Sequence, residues 1–499
     1  MATTLATPGV YIEEKSSFGS SVVPVQTAIP AFVGYTAKAT RGSKDLTNVP
    51  TRISSLGQFE ELFGGAPKTK VNIEPADSDV GFKLSFVEES RFLLHSSMRL
   101  FYANGGADCY IVSVGNYNGK IDAAKLNDPK GGGLASLEKF MEPTIIVIPD
   151  AILLDENDCY SLQAAMLQHC GYKLKNRFAI LDIYEGAKER TFDADDAVDK
   201  FRNGVGSNFL QWGASYYPFL NTTIVSKSEI DYTRIANLDG LVEVLSKEVA
   251  QNLEADNITA ARAEGITAEI DKIVETTESD AVNSLNSTLT VISPSLNLIL
   301  GEISEMLNVL PPSPAMAGAY TMVDSQASVA QSPANISLGS VIAPIVNINN
   351  DNQEELNLPL NGKAVNAIRT FQGKGVLVWG ARTLEGNSKD YRYISVRRTM
   401  TFLEQSIKSA AEAFVFAPNN ATTWSTLRAT VSSFLANQWQ SGLLAGQSAD
   451  DAFSVDIGLG ATMTPNDILD GVLKMTVKVA ITRPAEFIVI TFEQQQQKS

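Results

Sequence analysis

Two histidines, His95 and His169, and three cysteines, Cys109, Cys159 and Cys170, are the side chains best suited to nucleophilic, acid–base or metal chemistry. Each histidine falls in a helical pattern with no ligand-type residue four positions on, so a satisfied structural role is the simpler reading. His169-Cys170 with Cys159 lacks the spacing of a zinc site. A Ser–His–Asp triad would have to use one of these two histidines, and no G-x-S-x-G elbow exists. The glycine-rich stretches bind no cofactor by pattern. Gly131-Gly132-Gly133 lacks the Lys-Ser/Thr of a P-loop, and Gly373-Lys374-Gly375 and Gly458-Leu459-Gly460 lack the other glycines of a dinucleotide turn. Asp195-Asp196 and Asp450-Asp451 are paired carboxylates of the kind that mark solvated faces or helix N-termini. We expect neither catalytic residues, nor a cofactor, nor a metal.

One basic cluster stands out: Arg382, Lys389, Arg392, Arg397, Arg398 and Lys408, around the start of a long helical pattern. It reads either as ordinary surface charge, with a bridge to Glu404, or as a cationic face for an acidic partner. Two arginines at a helix N-terminus oppose the helix dipole, which favours the second reading.

Composition narrows the classes further. At 499 residues the chain exceeds one ordinary core, so two or three domains are expected. Apolar residues make up 44% and charged residues 19%, as in soluble globular proteins. A net charge of −16 argues against a nucleic-acid partner. No apolar run reaches the roughly 18 residues of a membrane span, and no secretion signal opens the sequence. Three cysteines make no disulfide framework and fit synthesis in the cytosol. The acidity is local. Residues 226–310 hold 5 Lys and Arg against 15 Asp and Glu, while residues 346–499 hold 14 of each.

The elements that must position these residues follow an α/β rhythm. Residues 52–63 and 85–103 have helical periodicity, the first capped by Ser54 or Ser55 and stopped by Gly64-Gly65. Thr144–Ile148, a helix over about 157–170, and Phe178–Ile183 predict a parallel βαβ unit. Residues 231–310 are helical and polar, ended by Pro311-Pro312-Ser313-Pro314. Val396–Phe416 and Thr423–Ser441 predict two more helices, and Leu473–Thr482 and Phe487–Phe492 two strands. The two ends are short and strand-forming: Val10, Tyr11 and Ile12 at one, Phe487, Ile488, Val489 and Ile490 at the other. Neither has a hairpin partner beside it. Such ends either close this chain's own sheet or are donated to neighbouring copies.

Several motifs resemble contractile tail sheath proteins of phage tails, tailocins and contractile injection systems. They are Thr7-Pro8-Gly9-Val10-Tyr11-Ile12-Glu13-Glu14; Phe101-Tyr102-Ala103-Asn104-Gly105-Gly106 before Cys109-Tyr110-Ile111-Val112; and Leu310–Tyr320 with Ser332-Pro333-Ala334-Asn335. The C-terminal ones are Val378-Trp379-Gly380-Ala381-Arg382, Tyr393-Ile394-Ser395-Val396-Arg397-Arg398 and Arg483-Pro484-Ala485-Glu486-Phe487. The resemblance implies a multidomain α/β (α+β) chain. Residues 1–25 would be an arm donated to a neighbour. Residues 26–345 would be an outer α/β domain carrying the acidic insertion of about 226–310. Residues 346–480 would be the core domain, and 481–499 a second arm. It implies stacked hexameric rings around an inner tube, a baseplate and a terminal cap as partners, contraction that drives the tube through a membrane, and Arg397, Arg398 and Lys408 facing the tube. A static shell or surface-layer protein shares the strand exchange but not the second state. An α/β hydrolase-type enzyme would need convergent titratable groups that the sequence does not offer.

Overall fold

A computed structural model describes residues 22–75 and 81–490. Contacts divide the chain into two compact units. The larger takes Gln26–Thr401 and residues 483–490, the smaller residues 22–25 and Phe402–Thr482.

The larger unit is organised by one sheet of eight strands: β1 (Pro30–Thr36), β2 (Thr51–Ile53), β3 (Cys109–Asn116), β4 (Ile145–Val147), β5 (Phe178–Asp182), β6 (Gly213–Tyr217), β7 (Asn366–Phe371) and β8 (Gly375–Val378). Their order is β8-β7-β6-β5-β4-β1-β3-β2. Neighbours from β3 to β7 are parallel, and the edge strands β2 and β8 are antiparallel. Every residue of β5 and β6 is buried, the pattern of a sheet covered on both faces. Alternate residues divide between two cores. Val33, Val112, Ile146 and Leu181 face one with helix Glu156–Gln168, while Phe32, Ile111, Val147 and Ile180 face the other with helices Leu94–Ala103 and Ser313–Gln326. The expected βαβ unit is present, with Ile146 opposite Ala179.

Buried carboxylates fasten the carboxyl ends of these strands. Asp150, just past β4, accepts the backbone N–H groups of Tyr35 and Leu93 at 3.0 and 2.7 Å. Asp182, closing β5, accepts from the backbone N–H of Ser313 at 2.9 Å and from its hydroxyl.

Two expected helices begin later than their periodicity indicated. Residues 51–53 pair with β3, so the first helix is Leu56–Phe63, capped by the Ser55 side chain. Phe82–Phe86 pairs with Val71–Pro75 as a hairpin, which leaves helix Leu94–Ala103. In both cases a cross-strand partner outweighed helical spacing.

The acidic segment forms four helices, Leu238–Glu254, Ala260–Glu275, Ser279–Ile292 and Pro294–Leu307. They have a core of their own, with Leu241, Leu245, Ile270, Leu289, Ile299 and Ile303 buried, and Val71 and Ile73 of the hairpin join it. Leu296, Ile299 and Ile303 form the side of the last helix that faces this core.

The smaller unit holds residues 402–412 of helix Ile394–Glu412, helix Ala421–Gln440, and strands β9 (Phe453–Ile457) and β10 (Met475–Val479). Phe402 meets Phe434 with ring centroids 6.1 Å apart, and Leu427, Val431, Leu435, Val455 and Ile457 are buried. A core domain beginning at 346 differs from this division. β7 pairs with β6, Asn366 standing opposite Tyr216, so residues 366–378 complete the large sheet and the contact boundary falls at 401/402.

Candidate assembly site

The C-terminal segment combines one tightly held residue with four bare ones. The Glu486 carboxylate takes four hydrogen bonds. Arg382 donates from Nε to Oε1 at 2.9 Å and from Nη2 to Oε2 at 2.7 Å. Asn357 Nδ2 donates to Oε1 and Tyr393 Oη to Oε2, both at 2.8 Å. Burial alone would raise this carboxyl, but these donors and the Arg382 charge hold it below the usual glutamate value. Arg382 is itself only 1% exposed, and a planar guanidinium suits such a two-pronged contact.

Directly beyond, Phe487, Ile488, Val489 and Ile490 are 68, 79, 88 and 70% exposed. They were expected as a strand. Among the described residues, no strand of this chain pairs with them. Four consecutive strand-forming apolar residues left in water are a ready template for pairing with another chain.

In the smaller unit the short sheet is limited to two strands among the described residues. β9 and β10 form a two-stranded sheet with Val455 opposite Val477, and among the described residues neither has a second strand neighbour. A lone hairpin is marginal in water, and helix Ala421–Gln440 packs against β9. An added strand would extend its ladder. The N-terminal approach is fixed in the same unit, where the Val25 N–H donates to Ser406 Oγ at 3.2 Å. Val10, Tyr11 and Ile12 lie outside the described residues.

Two of the three residues expected to face the tube are buried within their own subunit. Arg397 and Arg398 are 4 and 5% exposed within the single chain. The Arg397 guanidinium lies 4.3 Å from the Trp212 ring centre and 4.7 Å from that of Tyr391. Arg398 pairs with Asp324 and lies over Tyr320. Aromatic faces and a buried carboxylate, all within the larger unit, draw both side chains inward. Lys408 alone of the three is exposed. No sequence signal links Arg398 to Asp324, 74 positions away. Glu486 stood in a recognised motif, but its three donors come from distant segments.

The groups weighed for chemistry occupy structural positions. His95 and His169 are buried. Burial lowers both, and His169, beside Arg177, falls to about 3. Burial pushes the Cys109 and Cys170 thiols up to about 12, and Cys159 also upward. Asp196 caps helix Ala197–Gly204 and binds Arg190, and Asp451 completes a capping box with Ser448.

Residues 387–495 match the family model described as the phage tail sheath C-terminal domain. No curated protein matches the chain. Among solved structures, the PVC sheath complex of an extracellular contractile injection system in its contracted state is 27% identical, covers 99% of both chains and has a TM-score of 0.59. The helical sheath of the anti-feeding prophage in its contracted state is 26% identical over 99% of this chain and 100% of that one, with a TM-score of 0.60. A chain of the anti-feeding prophage baseplate in its contracted state is 26% identical over 98 and 99%, with a TM-score of 0.64. The tail sheath resemblance read from the motifs therefore holds along the whole chain, and the likeness is to structural proteins, not enzymes.

Proposed function

We infer that this chain is the sheath subunit of a contractile injection system or a related phage-type tail, a structural protein that polymerises around an inner tube and contracts. The observation that carries this is the pairing of end-to-end similarity to two contracted sheaths with a C-terminal segment that is exposed and unpaired among the described residues.

In this reading Phe487, Ile488, Val489 and Ile490 are donated to a neighbouring copy and add a strand to its β9–β10 hairpin. Residues around Val10, Tyr11 and Ile12 are donated likewise. Hexameric rings stack through these exchanges, with baseplate and cap proteins at the ends. The smaller unit is the core domain facing the tube, where Lys408 is the exposed cation of the expected set. The four-helix insertion decorates the outside. Contraction is a change between two lattice states that differ in free energy, with new surface buried between outer domains and the strand links preserved.

Negative-stain electron microscopy of the purified protein with its tube partner tests this. Hollow tubes in a long narrow and a short wide form support it. Small monodisperse particles under all conditions refute it. Tubes of a single fixed form, indifferent to the tube partner, favour a static shell instead.

A further inference from the structure

A strand donated to a neighbour would pull on the segment that leads to it, and among the described residues that segment has few contacts. Arg483 makes only a 3.9 Å approach to Asp390. The hydrogen bonds of this stretch converge on Glu486, one residue before the chain becomes bare.

From Glu486 the contacts run inward. Arg382 also donates from Nη1 to the Asn357 carbonyl at 3.1 Å. Its backbone N–H donates to Asn366 Oδ1 at 2.7 Å, and its carbonyl accepts from Asn366 Nδ2 at 2.8 Å. Asn366 stands on β7 and donates as well to the Ser215 carbonyl of β6 at 3.1 Å. A side chain at the root of the arm is thus connected, through one arginine and one asparagine, to the backbone of two central strands.

Tyr393 adds a second relation. It immediately precedes helix Ile394–Glu412, within which the chain passes from the larger unit to the smaller, and the chain returns at residue 483. The Tyr393–Glu486 hydrogen bond therefore ties the outgoing crossing to the returning one.

We propose that Glu486 is a positioning residue that moors the C-terminal arm to the larger unit, so that a pull exerted by the neighbour holding residues 487–490 passes through Arg382 and Asn366 into the eight-stranded sheet and bypasses the smaller unit. The proposal rests on the strand-donation reading. It makes Glu486 the pivot about which the arm swings when subunits rotate.

The test uses the full-length chain with Glu486→Gln, Glu486→Asp, Tyr393→Phe and a deletion of residues 487–499. In the free subunit, a spin label at position 485 should show a mobile component about tenfold larger in Glu486→Gln and less enlarged in Tyr393→Phe, the scale expected for losing hydrogen bonds to a charged group. The Gln variant should still form extended tubes with the tube partner, because its arm is intact. On contraction triggered with urea, those tubes should break between rings, and Glu486→Asp should restore intact contracted tubes in part. A merely structural role predicts a lower melting temperature with contraction unbroken. That result, or an unchanged mobile component at position 485, overturns the mooring proposal. Normal tubes from the deletion overturn strand donation itself, which separates the two failures.

Discussion

Arg398 and Asp324 face each other as a two-pronged ion pair, at 2.9 and 2.6 Å, with side chains 5 and 4% exposed. Arg398 also donates to the Thr27 carbonyl at 3.0 Å, so the pair joins the approach to β1, helix Ser313–Gln326 and the first turns of helix Ile394–Glu412. Burial pulls the guanidinium down, but the charge and hydrogen bonds of Asp324 more than offset it and hold Arg398 above its ordinary value.

Asp324→Asn should therefore leave a buried cation without its counter-charge and destabilise the chain by about 3–5 kcal/mol. The double replacement Arg398→Met with Asp324→Leu should recover most of that loss. Urea unfolding of the two variants checks both. A surface, tube-facing Arg398 would predict near-silence in the single variant.

Stability should rise as pH falls from neutrality toward mild acid. Burial pushes Asp182 up to about 7 and Asp150 up to about 6, against an ordinary value near 3.9 in the unfolded chain. Between about pH 4 and 7 the folded form retains protons that the unfolded form has released, so stability falls as pH rises through that window. Melting temperature against pH should show this slope in the native chain and a shallower one in Asp182→Asn.

A separate loss should appear at lower pH. The Glu486 carboxyl is held below its ordinary value of 4.5, and that of Asp196 below 3.8, each by ion pairs that outweigh burial. Their contribution is fully present above those values and disappears as pH falls through the folded ones. Glu486→Gln should reduce this acid limb and leave the slope between about pH 5.5 and 7 unchanged.

Val489→Pro should separate folding from assembly. Val489 is bare in the subunit, so unfolding free energy should move by no more than about 0.5 kcal/mol. A proline removes a ladder donor from a paired strand, so tube yield should collapse. Electron microscopy beside a melting curve gives both readouts. Deleting residues 1–14 should act in the same way.

Periodicity located the elements whose neighbours are close in sequence. Ile146 and Ala179 were paired because their strands flank one crossover helix, and Leu427, Val431 and Phe434 lie on the buried face of a single helix. What escaped was set by partners far along the chain. Nothing near Arg397 announces Trp212, and nothing near Glu486 announces Asn357. An arginine pair at a helix start looks like surface charge until distant aromatic rings cover it. The strand character of Phe487–Ile490 was legible, but its partner is not within the described residues of this chain.

The four-helix insertion begins and ends at one clasp. Asn308 accepts the Val225 N–H at Oδ1, 2.8 Å away, and donates Nδ2 to the Val225 carbonyl at 2.9 Å. It is fastened to the hairpin as well, where Asn237 accepts from the Ile73 N–H and donates to the Ile73 carbonyl. A module with adjoining ends and a private core is interchangeable. Any domain whose termini meet at hydrogen-bonding distance could be grafted there, provided Val71 and Ile73 are covered or trimmed with it. In a periodic lattice that single graft would recur at every subunit, which makes this clasp a display point at fixed spacing.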